Sequence, residues 1–311
     1  MRPISLGMRD VHLAQDLREA GYSYDEIRRN PALTHLRRGS WFSGPLPDDR
    51  RERFIALVRG TYAQLPAGGA LSHVAAAVLH GLPAPHGELH HVTVTRAGRH
   101  RGFQSRYVKV ATNPLSADDV VAIGTLPVTS LARTVADVSR TWQLPWAVAV
   151  ADAALRQGLQ PEHLREIVER GSGLAGTCQA RRVIDLMNAL AESPGESISR
   201  VFIAEAGLPA PTLQKAFPYD GGRDIPDLSW SQCGGVIGEF DGFGKYLKAP
   251  IDEAADPAQV VYLEKRREDR LRSHVRRFLR WGWDDLYVPE RFLVPLGLAL
   301  DCRVRRPLSR I

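Results

Sequence analysis

Apolar positions recur along this chain with two periods, and the changes from one to the other mark its elements. From about residue 8 to residue 20, Val11, Leu13, Leu17 and Ala20 predict a helix stopped by Gly21. Ser23-Tyr24-Asp25-Glu26 has capping-box spacing and predicts a second short helix, broken near Pro31. Leu33 to Arg38 and Trp41-Phe42-Ser43 flank a Gly39-Ser40 turn. Phe54, Leu57, Val58, Tyr62 and Leu65 form a helical stripe, and Ser72 is placed to cap a helix ending at Gly81. His91 to Thr95 and Tyr107 to Val110 alternate as strands do, and from Ser130 to Leu190 the pattern is helical.

A hinge at Ala191-Glu192-Ser193-Pro194-Gly195-Glu196 leads into a helix with Ile198, Val201, Phe202 and Ala206 on one face. Strands are predicted at Thr212 to Phe217, Ile225 to Trp230, and Val236 to Asp241. A long helix from about Pro257 to His274, a strand at Arg276 to Trp281 and a last helix follow. The order of this region is therefore α-β-β-β-α-β-α. In the first region, a helix, tight turn, helix and two-stranded wing are the order of a winged helix-turn-helix. Arg28 and Arg29 would lie on its second helix and Arg37 and Arg38 on its wing, all facing DNA. The fold expected is α/β, an α+β multidomain chain. It comprises a winged helix-turn-helix over 1–50, a mixed α/β connector over 51–190 and an αβββαβ core over 191–311.

Composition narrows the setting. The 311 residues are enough for several cores, and a hydrophobic share of 44% and charged share of 24% are ordinary for a globular protein. No apolar run is long enough to span a membrane, and Met1-Arg2-Pro3-Ile4-Ser5 lacks the apolar stretch of a signal peptide. Three scattered cysteines without a CxxC pair point to a reducing, cytoplasmic setting. The net charge of +6 suits a polyanionic partner, double-stranded DNA being the one expected. Only five of the 41 basic residues are lysines, a bias that a GC-rich coding sequence produces, so position counts for more than abundance. His73, His80, His90 and His91 lack zinc-site spacing and are read as structural.

The chemistry is concentrated in Val236-Ile237-Gly238-Glu239-Phe240-Asp241-Gly242. Side chains alternate along a strand, so Glu239 and Asp241 share a face and Phe240 takes the other. Two like charges on a buried face repel and favour a cation. Asp227, on the preceding strand, completes a candidate metal set with Glu239 and Asp241, for which magnesium is the hard cation expected. Glu196 could add a further carboxylate, Gln214 could orient a water, and Lys245 or Lys265 could face a scissile phosphate.

The αβββαβ order, with Glu196, Asp227 and Glu239-Phe240-Asp241-Gly242, resembles the PD-(D/E)xK restriction-endonuclease fold. More closely, it resembles a bacterial domain of unknown function allied to very-short-patch-repair endonucleases. The matching positions are Glu196, Gln214, Asp227, Glu239, Asp241 and Glu264-Lys265-Arg266-Arg267-Glu268-Asp269. Asp241 stands where that family's motif lysine is usual, so Lys245 or Lys265 would take its role. The front of the chain is similar to AbiEi-type antitoxins of type IV toxin–antitoxin systems. The similarity is carried by Leu36-Arg37-Arg38-Gly39-Ser40-Trp41, by Ser72 to Pro83, and by Val128 to Thr134. These resemblances imply a magnesium-dependent DNA endonuclease of bacterial defence or repair. The alternative is a non-enzymatic DNA-binding regulator or antitoxin with a cognate toxin or defence-complex partner.

Overall fold

The computed structural model describes residues 10–98, 102–242, 257–305, 309 and 311. The protein is mixed α/β and divides into two compact units, Met1–Val138 and Ser139–Ile311.

In the first unit, β1 (Val11–Leu13), α1 (Ala14–Glu19), α2 (Tyr24–Arg29), β2 (Leu33–Arg37) and β3 (Ser40–Ser43) come first. The sequence predicts helix from about residue 8, but Val11–Leu13 pairs antiparallel with β3, Val11 opposite Phe42. Strand pairing overrides the helical spacing there, and Met8 and Arg9 lie outside the described residues. The capping box of α2 forms as its sequence predicts. Glu26 N–H donates to Ser23 Oγ (3.3 Å) and Ser23 N–H donates to Glu26 Oε2 (2.8 Å). β2 and β3 make a hairpin turning at Gly39, whose φ of +80° suits a residue without Cβ. The resulting sheet has the order β1-β3-β2.

Next come α3 (Arg50–Tyr62), β4 (Ala70–Leu71), α4 (His73–Leu79), β5 (Val92–Arg96), β6 (Phe103–Gln104) and β7 (Val108–Thr112). β8 (Val120–Ile123), β9 (Leu126–Thr129) and α5 (Leu131–Thr141) complete the run. The six strands form one sheet in the order β6-β7-β5-β4-β9-β8. Ser72 stands at the N-terminus of α4 but makes no cap with its side chain; its Oγ accepts from Thr95 Oγ1 (2.8 Å) instead.

The second unit continues with α6 (Leu144–Arg156), α7 (Pro161–Arg170), α8 (Thr177–Leu186) and α9 (Pro194–Glu205). Then follow β10 (Thr212–Leu213), β11 (Phe217–Tyr219), β12 (Gly222–Asp224), β13 (Leu228–Trp230) and β14 (Val236–Asp241). The chain closes with α10 (Pro257–Ser273), β15 (Arg277–Gly282), α11 (Trp283–Tyr287) and α12 (Glu290–Ala299). Its main sheet has the order β10-β13-β14-β15, antiparallel except for the parallel pair β14·β15. The predicted strand Thr212–Phe217 divides in two, and β11 pairs with β12 as a separate hairpin. Phe202, Trp230, Phe240, Trp281 and Phe292 fill the core between α9, the sheet and α12.

Candidate functional site

β14 is held as a strand from both sides. Leu228 lies opposite Gly238 on β13, and Gly238 lies opposite Leu279 on β15. A Cβ at Gly238 would stand 2.5 Å from the Trp281 ring, so only glycine lets the tryptophan cover the strand. Beside it, the Phe240 ring would lie 2.0 Å from a Cβ on Gly195, which brings the start of α9 down onto that face. Phe240 belongs to the apolar core, whereas Glu239 points to the opposite side, towards α10. The alternation read from the sequence therefore holds at this strand.

Glu239 is 6% exposed, and a carboxylate at that depth needs cationic partners. It has two. Arg267 Nη2 donates to Glu239 Oε1 (2.7 Å) and Arg280 Nη2 donates to Oε2 (3.0 Å). Arg267 Nη2 also donates to the Ile225 carbonyl (2.9 Å), and both arginines reach Glu264 Oε1, at 3.3 and 3.2 Å. Glu268 stands 3.5 Å from Arg280. Burial works against the Arg267 charge, but its hydrogen bond to Glu239 and the Glu239, Glu264 and Asp227 carboxylates outweigh it and raise its pKa. The same balance, with Glu268 in place of Asp227, raises Arg280.

Asp227 is the acid on the neighbouring strand edge. Its Oδ2 accepts the Phe240 N–H (2.9 Å), tying the entry of β13 to β14. Gln214 joins it through the backbone, its N–H donating to the Asp227 carbonyl (3.4 Å), with a left-handed φ of 50°. Glu196 serves the start of α9: Oε1 accepts from Ser193 Oγ (2.7 Å) and Oε2 from Glu192 N–H (2.8 Å). Asp241 ends β14 half-buried. Lys265 lies on the exposed side of α10, and Lys245 lies outside the described residues.

The set Asp227, Glu239 and Asp241 does not fit magnesium as it is arranged. Both Glu239 oxygens are engaged by guanidinium groups, and one Asp227 oxygen is engaged by a backbone amide. Among the described residues no group of three or more His, Cys, Asp and Glu side chains is gathered to hold a metal ion. The sequence reading set Arg267 in the matching helix motif without giving it a role, and did not single out Arg280. A signal for Arg267 was present: Leu271, fully buried, sets the phase of α10, and Arg267 and Glu264 lie one and two turns before it.

Of the four arginines expected to meet DNA, Arg28, Arg29 and Arg38 are exposed, Arg28 standing 3.8 Å from Asp25. Arg37 is placed otherwise. It is half-buried with its guanidinium 5.5 Å from the centre of the Tyr107 ring. Burial lowers its pKa, against the opposing pull of Tyr107.

No family model matches the chain, and no curated protein matches it. Among solved structures it is similar to the RV2827C protein from Mycobacterium tuberculosis. The two are 17% identical, with a TM-score of 0.39 over 57% of this chain and 72% of that one. A likeness of that degree informs neither the site nor the activity. No helix among the described residues is long and apolar enough to cross a membrane.

Proposed function

We propose that this is a cytoplasmic DNA-binding protein of the regulator or antitoxin kind, with a restriction-endonuclease-like core that binds without cutting. The observation that carries the reading is the double engagement of Glu239 by Arg267 and Arg280 at 2.7 and 3.0 Å. A carboxylate neutralised by two fixed guanidinium groups is a poor ligand for a dication, which would have to displace one of them. The order β1-α1-α2-β2-β3, with Arg28, Arg29 and Arg38 exposed, supports a winged-helix head that contacts phosphates. A cognate toxin or defence-complex protein is the partner this reading implies beyond double-stranded DNA.

A magnesium-dependent endonuclease is the second reading. What favours it is the placement of Asp227 and Glu239 on neighbouring strands of a β10-β13-β14-β15 sheet, with α10 crossing between the parallel pair. One experiment separates the two: supercoiled plasmid is incubated with the full chain in magnesium, manganese or EDTA, and duplex binding is followed across salt. The expected result is intact plasmid in all three, with salt-dependent duplex binding. Replacing Arg28, Arg29 and Arg38 with Ala should lower the log–log salt slope by about one for each phosphate that is no longer neutralised. Metal-dependent nicking that Asp227→Ala abolishes would establish the endonuclease instead.

A further inference from the structure

We infer that the second unit carries a separate track for single-stranded DNA along α10 and the β11–β12 hairpin. Cationic and aromatic side chains alternate there. Tyr262, Arg266 and Arg270 follow one another at four-residue spacing, which stacks them along one side of α10, and His274 comes at the same spacing one residue past its end. The Arg266 guanidinium lies 5.9 Å from the Tyr262 ring centre, and Arg270 lies 4.2 Å from that of Tyr219 on β11. His274 meets Phe217 at 5.8 Å, and Lys215 Nζ stands 5.5 Å from the same Phe217 ring. The hairpin thus continues the row that the helix begins.

Three features point to unpaired bases as the ligand. Tyr262 is 58% exposed and Tyr219 37%, so large ring faces are presented to solvent where a core would have hidden them. Arg270 is held in plane by Asp224, whose carboxylate accepts from Nε at 2.7 Å and from Nη2 at 2.8 Å. A guanidinium fixed in this way is a stacking plate already ordered before a ligand arrives. Arg266 and Arg223, both exposed, supply charge for the phosphates beside the rings. A duplex buries the faces of its bases against one another, so exposed rings reward a single strand and not a double one. The acids of the region temper the charge: Asp224 is engaged by Arg270 and Glu268 by Arg272, while Asp220 and Asp269 are exposed.

This inference rests on the nucleic-acid reading for its class of partner, but on residues of the other unit. The test is fluorescence anisotropy of the full chain with a labelled mixed-sequence single-stranded 20-mer, roughly the length of one or two such tracks, and with its duplex. Tyr219→Ala and Tyr262→Ala should each weaken single-strand binding by about tenfold and leave duplex binding within about twofold. Tyr219→Trp and Tyr262→Trp should restore it, which a merely unfolded variant could not explain. Unchanged single-strand binding in both Ala variants, or no single-strand binding by the wild-type chain, would overturn the track. Replacement of Arg28, Arg29 and Arg38 should do the reverse, weakening the duplex complex alone. Absence of duplex binding by the wild-type chain with the strand track intact would remove the winged-helix reading and leave this one standing.

Discussion

Arginines meet carboxylates in both units, but at different depths. In the first unit Arg133 donates through Nε to Asp137 and through Nη1 to Asp119, both at 3.0 Å, and through Nη1 to the Pro114 carbonyl at 2.7 Å. The three side chains are 5%, 1% and 4% exposed, and they tie α5 to the turn before β8. In the second unit Glu239 is also buried, yet its partners Arg267 and Arg280 are 26% and 31% exposed. The chemistry is shared, and depth divides the uses. A guanidinium shut away with two acids can only hold elements together, because any change of partner strands a buried charge. One that is part-open keeps solvent as an alternative partner, so losing a carboxylate costs it less.

Removing Arg133 should have the largest effect. Arg133→Ala leaves Asp119 and Asp137 without their shared cation and should cost the first unit about 3–5 kcal/mol in urea unfolding. A loss below about 1 kcal/mol would mean that water replaces the guanidinium and that depth is not what separates the clusters.

Asp152 on α6 sharpens the comparison from within the second unit. It is fully buried and accepts from Arg200 Nη1 at 2.8 Å, but burial outweighs that guanidinium and pushes its pKa up to about 6. The folded state then holds the proton more tightly than the unfolded chain. Asp152 should favour the fold below about pH 4, and that contribution should be lost as pH rises to about 6, by up to about 3 kcal/mol. Unfolding midpoints of wild type and Asp152→Asn across that window should differ in slope. Parallel curves would show that the Arg200 ion pair keeps Asp152 charged.

The smallest effect belongs to the part-open cluster. Glu239→Gln should cost only about 1–2 kcal/mol, between the values of exposed and buried pairs, since Arg267 and Arg280 retain Glu264 and solvent. A cost equal to that of Arg133→Ala would make the Glu239 cluster as structural as the first and weaken its case as a site.

Local patterning decided much of this protein in advance. The capping box at Ser23 and Glu26 needs only four consecutive residues, and it forms. The alternation in Val236–Asp241 needs only the period of a strand, so Phe240 and Glu239 separate to opposite faces as the sequence implies. The β11–β12 hairpin, by contrast, falls between two runs that read as strands and shares only Phe217 with the first, because strands of three residues show too few alternations to be recognised. Val11–Leu13 carries helical spacing but has β3 for a neighbour, and pairing across more than 25 residues is not written in the local pattern. Most of all, sequence placed the carboxylates but not what would face them. Glu239 and Arg267 are 28 residues apart, and Glu239 and Arg280 are 41 apart. Only the packing of α10 and β15 against β14 brings the arginines to that acid. A charge has no periodicity of its own, and its partner is settled by whichever element the apolar core sets beside it.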